Sequence, residues 1–476
     1  MVFASPIFIF LFLPVVLLAY FATPRLARNV ILLFFSLMFY AWGEFHYLFL
    51  ILISILFNWI LGLAIAGVRS DWGRKAWLCV GITGNVLALG YFKYINFFVD
   101  NTNQLLKAFG SSLSLSIPEV LLPLGISFFT FHAISYLVDI YRGSASVERS
   151  PVNFSVYILL FPQLIAGPII RWKHIYWQFR ERQETFADFR WGVSRFIIGL
   201  AKKTLIANPV GIVADTIFAL PPDQLSPSAA WLGLLCYTLQ IYFDFSGYSD
   251  MAIGLMRMFG FHILENFNYP YISRSVREFW RRWHISLSTF FRDYVYIPLG
   301  GNQASRSRIY FNTMVVFLLS GLWHGASWTF ILWGMWHGLF ICLEIAFLAK
   351  LLERMGPLAH VYGLLAIMGG WVLFRSHSLE QALNYYEVLA GISRPSAING
   401  SYFLDNQVII TICIGILGST PIIKVLKLAF EQVASPTGLR LVFADIPRIS
   451  ALAGLFLLSI ATLAGSSYNP FIYFRF

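Results

Sequence analysis

Histidine is the side chain that takes and gives protons near neutral pH, and three of the nine histidines here lie in aromatic, largely apolar stretches. His324 closes an apolar run in Ser320-Gly-Leu-Trp-His-Gly-Ala326. An ionisable group at bilayer depth is costly and is read first as functional. Gly321 and Gly325 would let a substrate or a second backbone come close. The alternative is a buried histidine satisfied by a carbonyl. His284 sits in Phe279-Trp-Arg-Arg-Trp-His-Ile-Ser286, where Trp280, Trp283 and Phe290 alternate with Arg277, Arg281, Arg282 and Arg292. That is the pattern of an interfacial amphipathic helix. It suits either anchoring to lipid headgroups or a basic, aromatic mouth (Arg277, Arg281, Arg282, Trp283) for an anionic cytosolic cofactor. His337, in Trp333-Gly-Met-Trp-His-Gly338, echoes the His324 motif and reads as a packing residue first, a supporting or orienting residue second.

Three further polar residues belong with these histidines. Asp244 and Asp250 stand in Phe243-Asp-Phe-Ser-Gly-Tyr-Ser-Asp250, and Asn266 follows in Glu265-Asn-Phe-Asn-Tyr-Pro270. Within an apolar span they need protein partners, so they would orient a histidine, line a substrate path, or cap a helix break. No phosphate-cradling Walker motif, no Rossmann glycine pattern and no GxSxG elbow occurs, which argues against an ATP-driven pump and a serine hydrolase.

The elements that must position these residues are set by composition. Of the 476 residues, 58% are hydrophobic and only 12% charged, with a mean hydropathy of +0.69. A soluble domain carries about 25% charged residues, so water cannot be the main solvent. In hydrocarbon every backbone polar group must pair internally, and the continuous apolar runs at 30–40, 47–66 and 451–464 point to helices, not to a barrel. The chain reads as one all-α, polytopic integral membrane domain: N-terminal spans over 1–150, a core with both leading histidines over 151–350, and C-terminal spans over 351–476.

About twelve spans fit the pattern, near residues 5–22, 29–43, 47–66, 76–95, 120–140, 191–220, 229–257, 309–324, 330–349, 357–375, 406–424 and 449–467. The stretch 154–170 is apolar but broken by Pro162, Gly167 and Pro168, and reads as re-entrant. The first apolar stretch lacks a basic leader and a small-residue cleavage site, and reads as a retained span. Cys79, Cys236, Cys342 and Cys413 lie inside spans with no metal-ligand spacing and read as small buried apolar residues.

Most of the 34 Lys and Arg residues fall on one side of this map. Lys93, Lys107, Arg375, Arg394 and Arg475 are left on the other. The positive-inside rule then places the basic loops in the cytoplasm and both termini outside. The net charge of +11 is mostly this topology signal, and no nucleic-acid partner is expected. The outer loops are short, the longest being 376–405.

These residues also carry a resemblance. Pro123-Leu-Gly-Ile-Ser-Phe-Phe129, Leu164-Ile-Ala-Gly-Pro168, Tyr242-Phe-Asp-Phe-Ser-Gly-Tyr-Ser-Asp-Met-Ala-Ile-Gly254, Glu278-Phe-Trp-Arg-Arg-Trp-His-Ile-Ser-Leu-Ser288, Gly321-Leu-Trp-His-Gly325 and Ser467-Tyr-Asn-Pro-Phe-Ile-Tyr-Phe474 span nearly the whole chain. In them it resembles the membrane-bound O-acyltransferases. The resemblance implies that His324 is the essential histidine and His284 the second signature histidine. It also implies an acetyltransferase of a bacterial inner membrane, with acetyl-CoA as donor and no metal. The implied acceptor is an exported polysaccharide, alginate ahead of peptidoglycan or cellulose, reached through periplasmic O-acetyltransferase or acetyl-carrier proteins. The last cytoplasmic stretch, 424–448, is shorter than in the best-known members.

A donor confined to the cytosol and an acceptor outside would meet at a histidine reached from both faces. His324 would serve as general base on a hydroxyl or carry the acetyl group itself; the residues do not choose. The rival of a different class is a transporter without transferase activity. Transporters of that kind show paired halves, and the motifs at 242–337 have no counterpart in the first half. A scaffold that only recruits secreted enzymes would tolerate loss of His324.

Overall fold

The computed structural model describes residues 2–392, 398–422, 438–466 and 468–470. Among these the elements are helical, apart from a lone bridge between Leu225 and Ile398. The chain divides into two compact units.

The first unit takes residues 1–189, 256–264 and 325–327. A π-helical turn, Phe8–Phe12, runs into α1 (Leu13–Ala22). The helices α2 (Arg28–Glu44), α3 (Leu48–Gly67), α4 (Asp71–Ala108) and α5 (Ile126–Tyr141) follow. The short helices α6 (Pro151–Leu159), α7 (Phe161–Leu164), α8 (Trp172–Ile175) and α9 (Gln178–Glu181) complete it. Ser150 caps α6 by accepting from Asn153 N, and Pro151 supplies the preset φ of the first helical position.

The stretch expected to be re-entrant is two helices and an extended run, with residues 156–170 all buried. Its broken backbone is satisfied by side chains, as irregular chain at membrane depth requires. Tyr157 Oη donates to Ile170 O at 2.8 Å, and Ile170 N donates to His132 Nε2 at 3.1 Å. A polar knot ties the ends of this unit together: Arg182 donates to Asn29 Oδ1 at 2.6 Å, while Glu184 accepts from Tyr20 Oη at 2.5 Å and pairs with Arg28 at 2.8 Å.

The second unit takes residues 190–255, 265–324 and 328–476. It contains most of α10 (Phe186–Ala201), a π-helical turn Lys202–Ala207, α11 (Asn208–Phe218), α12 (Pro227–Met258), α13 (Val276–Arg282) and α14 (Ile285–Phe291). The hairpin α15 (Arg306–His324) and α16 (Trp328–Leu343) comes next, then α17 (Ala349–Met355), α18 (Ala359–Arg375), α19 (Leu379–Leu389), α20 (Asn406–Gly418) and α21 (Gly438–Gly465).

Close helix approach here depends on glycine. A Cβ on Gly199 would stand 2.5 Å from Gly247 O, and one on Gly247 would stand 2.7 Å from Gly199 O, so α10 and α12 touch backbone to backbone. The α15–α16 hairpin repeats the device. A Cβ on Gly321 would meet Phe330 O at 2.3 Å, and one on Gly334 would meet Phe317 O at 2.3 Å.

Among the described residues, five helical stretches are long and apolar enough to cross a membrane: Arg25–Gly67, Asp71–Ala108, Phe186–Phe218, Trp328–Arg375 and Ile446–Gly465. Phe8–Ala22, Ile126–Tyr141 and Asn406–Gly418 are shorter apolar helices. Each span read from the sequence overlaps helix, but the one at 120–140 becomes helical only at Ile126, and the one at 406–424 leaves its helix at Gly418, where residues 419–421 turn, with 423–424 outside those described. Outward-facing Phe49, Leu87 and Leu457 suit a hydrocarbon solvent. The cysteines need correction. Only Cys236 is buried; Cys79 and Cys413 lie on exposed helix faces, because a helix bathed in lipid need not hide a thiol.

Candidate active site

The segment expected to form one interfacial helix is instead two short ones, and the break between them shapes the site. Ser275 Oγ accepts from Glu278 N at 3.0 Å, and Glu278 Oε2 reaches back to accept from Arg274 N at 2.9 Å, which starts α13. At Arg282 the helix stops. His284 adopts a left-handed conformation (φ +43°), one of two non-glycine residues with positive φ among those described. The strain is offset by pairing with residues 266–268. Asn268 N donates to Arg282 O and Ile285 N donates to Asn266 O, both at 2.9 Å.

The turn buries His284 completely, not in an open mouth. Asn266 is its hub. Asn266 Oδ1 lies 3.1 Å from His284 Nδ1 and accepts from Ser286 Oγ at 2.9 Å and Ser286 N at 3.2 Å. Asn266 Nδ2 donates to Ser249 Oγ on α12 at 3.0 Å. With an amide oxygen facing it, Nδ1 carries the imidazole proton and Nε2 the lone pair. Burial pushes the imidazole down to about 3, so His284 is neutral at physiological pH.

His324 ends α15, 3% exposed. Its ring meets Trp323 and Trp333 at 4.9 Å and Phe374 of α18 at 5.0 Å, all edge-on, with Phe330 stacked at 6.4 Å. Trp323 also faces His284 at 5.9 Å, so one indole lies between the two histidines. The structure thus brings together two residues that sequence separates by one span. His337 is fully buried beyond Trp333 at 5.0 Å, ringed by Trp280 and Phe317, and neither of its ring nitrogens has a hydrogen-bond partner among the described residues.

The residues read as a cofactor mouth divide. Arg277 and Arg281 expose their side chains. Arg282 is half-buried, donating to Glu278 at 2.9 Å and to Asn268 O at 3.1 Å. Trp283 is buried and stacks on Phe279 at 5.4 Å. Trp280 of α13 packs on Trp333 at 5.5 Å, so the arginine helix abuts the hairpin that carries His324. Glu344, to which no sequence motif points, accepts from Val276 N at 2.7 Å and Arg277 N at 3.0 Å, holding the first turn of α13.

Among the described residues, Asp244 and Asp250 pair with cations. Lys203 and Asp244 form a buried ion pair at 2.6 Å. Asp250 takes Arg195 and Lys202, both at 2.7 Å. Phe330, Trp333 and Phe374 were missed as well; the first two sit beside the His324 motif, but no signal in the sequence brings Phe374 there.

The arrangement is one buried imidazole packed among aromatic rings, with a second, neutral imidazole on the far side of Trp323 and exposed arginines on the neighbouring α13. Comparison with known proteins places the chain in a family. The model of the membrane-bound O-acyltransferase family, MBOAT, matches residues 126–353. A protein of Azotobacter vinelandii named "Probable alginate O-acetylase AlgI" is 41% identical over the full length of both chains. The "Peptidoglycan O-acetyltransferase" of Helicobacter pylori is 34% identical over 100% of this chain and 98% of its own. The "Teichoic acid D-alanyltransferase" of Bacillus subtilis is 32% identical over 42% of this chain and 53% of its own. The chain belongs to the membrane-bound O-acyltransferase family. It is an O-acyltransferase and a multi-pass membrane protein.

Proposed function

We propose that the chain transfers an acetyl group from cytosolic acetyl-CoA across a bacterial inner membrane for O-acetylation of exported alginate, handing it to periplasmic partner proteins. Both termini lie on the periplasmic side in this reading. The observation that carries it is the enclosure of His324: a proton-transfer group at the end of a membrane helix, shielded from water by four rings. The exposed Arg277 and Arg281 suit the phosphates of the donor. The alginate assignment follows the relatives of that name, which align end to end.

In the transfer, the acceptor oxygen bonds to the acetyl carbonyl carbon while His324 takes the hydroxyl proton. The carbon–sulfur bond breaks, and the thiolate leaves with that proton as the thiol of CoA. His284 stays neutral and helps fix the chamber through Trp323. A second reading, peptidoglycan as acceptor, is favoured by the full-length match to the Helicobacter pylori protein.

The test is transfer of acetyl-labelled acetyl-CoA by protein in nanodiscs with its periplasmic partners, wild type against His324→Ala at matched abundance. Label on partner or polysaccharide with wild type alone supports the proposal. Equal transfer by the variant removes His324 from the chemistry. No transfer by either, with donor or polymer still crossing, moves the transporter reading forward. Supplying alginate or peptidoglycan fragments separately decides the acceptor.

A further inference from the structure

The rings around His324 are locked to one another and to the backbones behind them. Phe374 packs on Phe330 at 5.1 Å, on Trp333 at 5.3 Å and on Trp371 at 5.5 Å. The backbones cannot retreat toward each other to make room, because α15 and α16 already touch at Gly321 and Gly334. The helix α18 that carries Phe374 is held equally tightly. A Cβ on Gly369 would meet Trp336 at 2.8 Å, and one on Gly370 would meet His337 Nε2 at 2.6 Å. Close-packed interiors of this kind resist even one added methylene.

Whatever acyl carbon reacts beside His324 must place its chain against these rings. A methyl group is the smallest chain that can do so. Each further methylene must push a ring that is backed by another ring or by a helix.

We infer that Phe374, with Phe330, is the specificity-determining wall that restricts the acyl group to acetyl and excludes longer chains. This rests on the proposed thioester donor and adds the length rule to it. A methylene that a pocket must accommodate is worth roughly 10–200-fold in discrimination. Wild type should therefore prefer acetyl-CoA over butyryl-CoA by about 100-fold or more in kcat/KM. Phe374→Ala should narrow that ratio by about ten-fold or more. A general loss of structure would lower both rates and leave the ratio where it was.

The experiment measures acetyl-, propionyl- and butyryl-CoA as donors for wild type, Phe374→Ala, Phe374→Leu and Phe330→Ala, in nanodiscs with the periplasmic partners. Phe374→Leu removes less volume and should shift the ratio in the same direction should the alanine variant fail to accumulate. A ratio that narrows in the Phe374 variants supports the inference. It is overturned if wild type uses butyryl-CoA as well as acetyl-CoA, or if the variants transfer acetyl with an unchanged ratio. Wild type that transfers from no thioester overturns the donor reading itself, and the length rule falls with it; that result is distinct from acetyl transfer without length selection.

Discussion

Asn266 Oδ1 lies 3.1 Å from His284 Nδ1, and the same oxygen accepts from both the hydroxyl and the amide of Ser286. One side-chain oxygen therefore fixes a ring tautomer and a strained turn together. Replacing Asn266 by Ala strands these donors in the interior, at a cost of about 1–3 kcal/mol for a buried unsatisfied group. The detergent-solubilised variant should melt below wild type, and transfer should fall with it. An unchanged melting temperature would mean that Ser249 and Ser286 hold the turn alone.

Acid should destabilise the fold through His284. Its pKa is about 3 in the folded chain because of burial, against about 6.5 when unfolded. Between those values the unfolded chain binds a proton that the folded chain refuses. Stability is full above about pH 6.5 and falls as pH drops, at about 1.4 kcal/mol per pH unit for this one group. Thermal unfolding at pH 5 and pH 7, compared with His284→Gln, checks it: the variant should lose less on acidification.

The Lys203–Asp244 pair makes the opposite kind of prediction, since both partners are buried. Asp244→Asn leaves an ammonium without its counter-charge and should cost about 3–5 kcal/mol, whereas Lys203→Met with Asp244→Leu should recover most of that loss. Accumulation and melting temperature of the single and double variants in membranes give the answer.

Glu344 accepts from two amides at the start of α13, close to the exposed Arg277. With Glu344→Ala that turn should loosen; if α13 receives the donor as proposed, KM for acetyl-CoA should rise by about ten-fold while kcat changes less, because Glu344 holds that helix and not the reacting atoms. Equal changes in kcat and KM would point to general unfolding.

Much of this was legible in the sequence for a physical reason: lipid demands continuous apolar helices, and such runs are visible one residue at a time. His324 stood out for the same reason, as an ionisable group in an apolar run. The partners of Asp244 and Asp250 were not legible. They lie on α10 and the π-helical turn after it, some fifty residues away, and many charges could have filled those places. The position of His284 was misjudged because arginines and tryptophans alternate in the same way along an interfacial helix and along two short helices folded back at a left-handed residue. Phe374 is one phenylalanine among 46, and only the packing of α18 brings it to His324.

The backbone oxygen of Pro470 accepts from Lys203 Nζ, Tyr468 Oη donates to Asp215 at 2.6 Å, and Asp215 in turn pairs with Arg375. A lysine that enters the bilayer early thus waits for a carbonyl made 267 residues later. At ordinary rates of synthesis that is a delay of tens of seconds. During it the ammonium has Asp244 as its counter-charge but lacks the acceptor that completes its hydrogen bonding, a state open to insertion chaperones and membrane proteases. Stop codons or frameshifts shortly before Tyr468 would leave both histidines in place, yet yield a chain that never completes its assembly and is cleared by the cell.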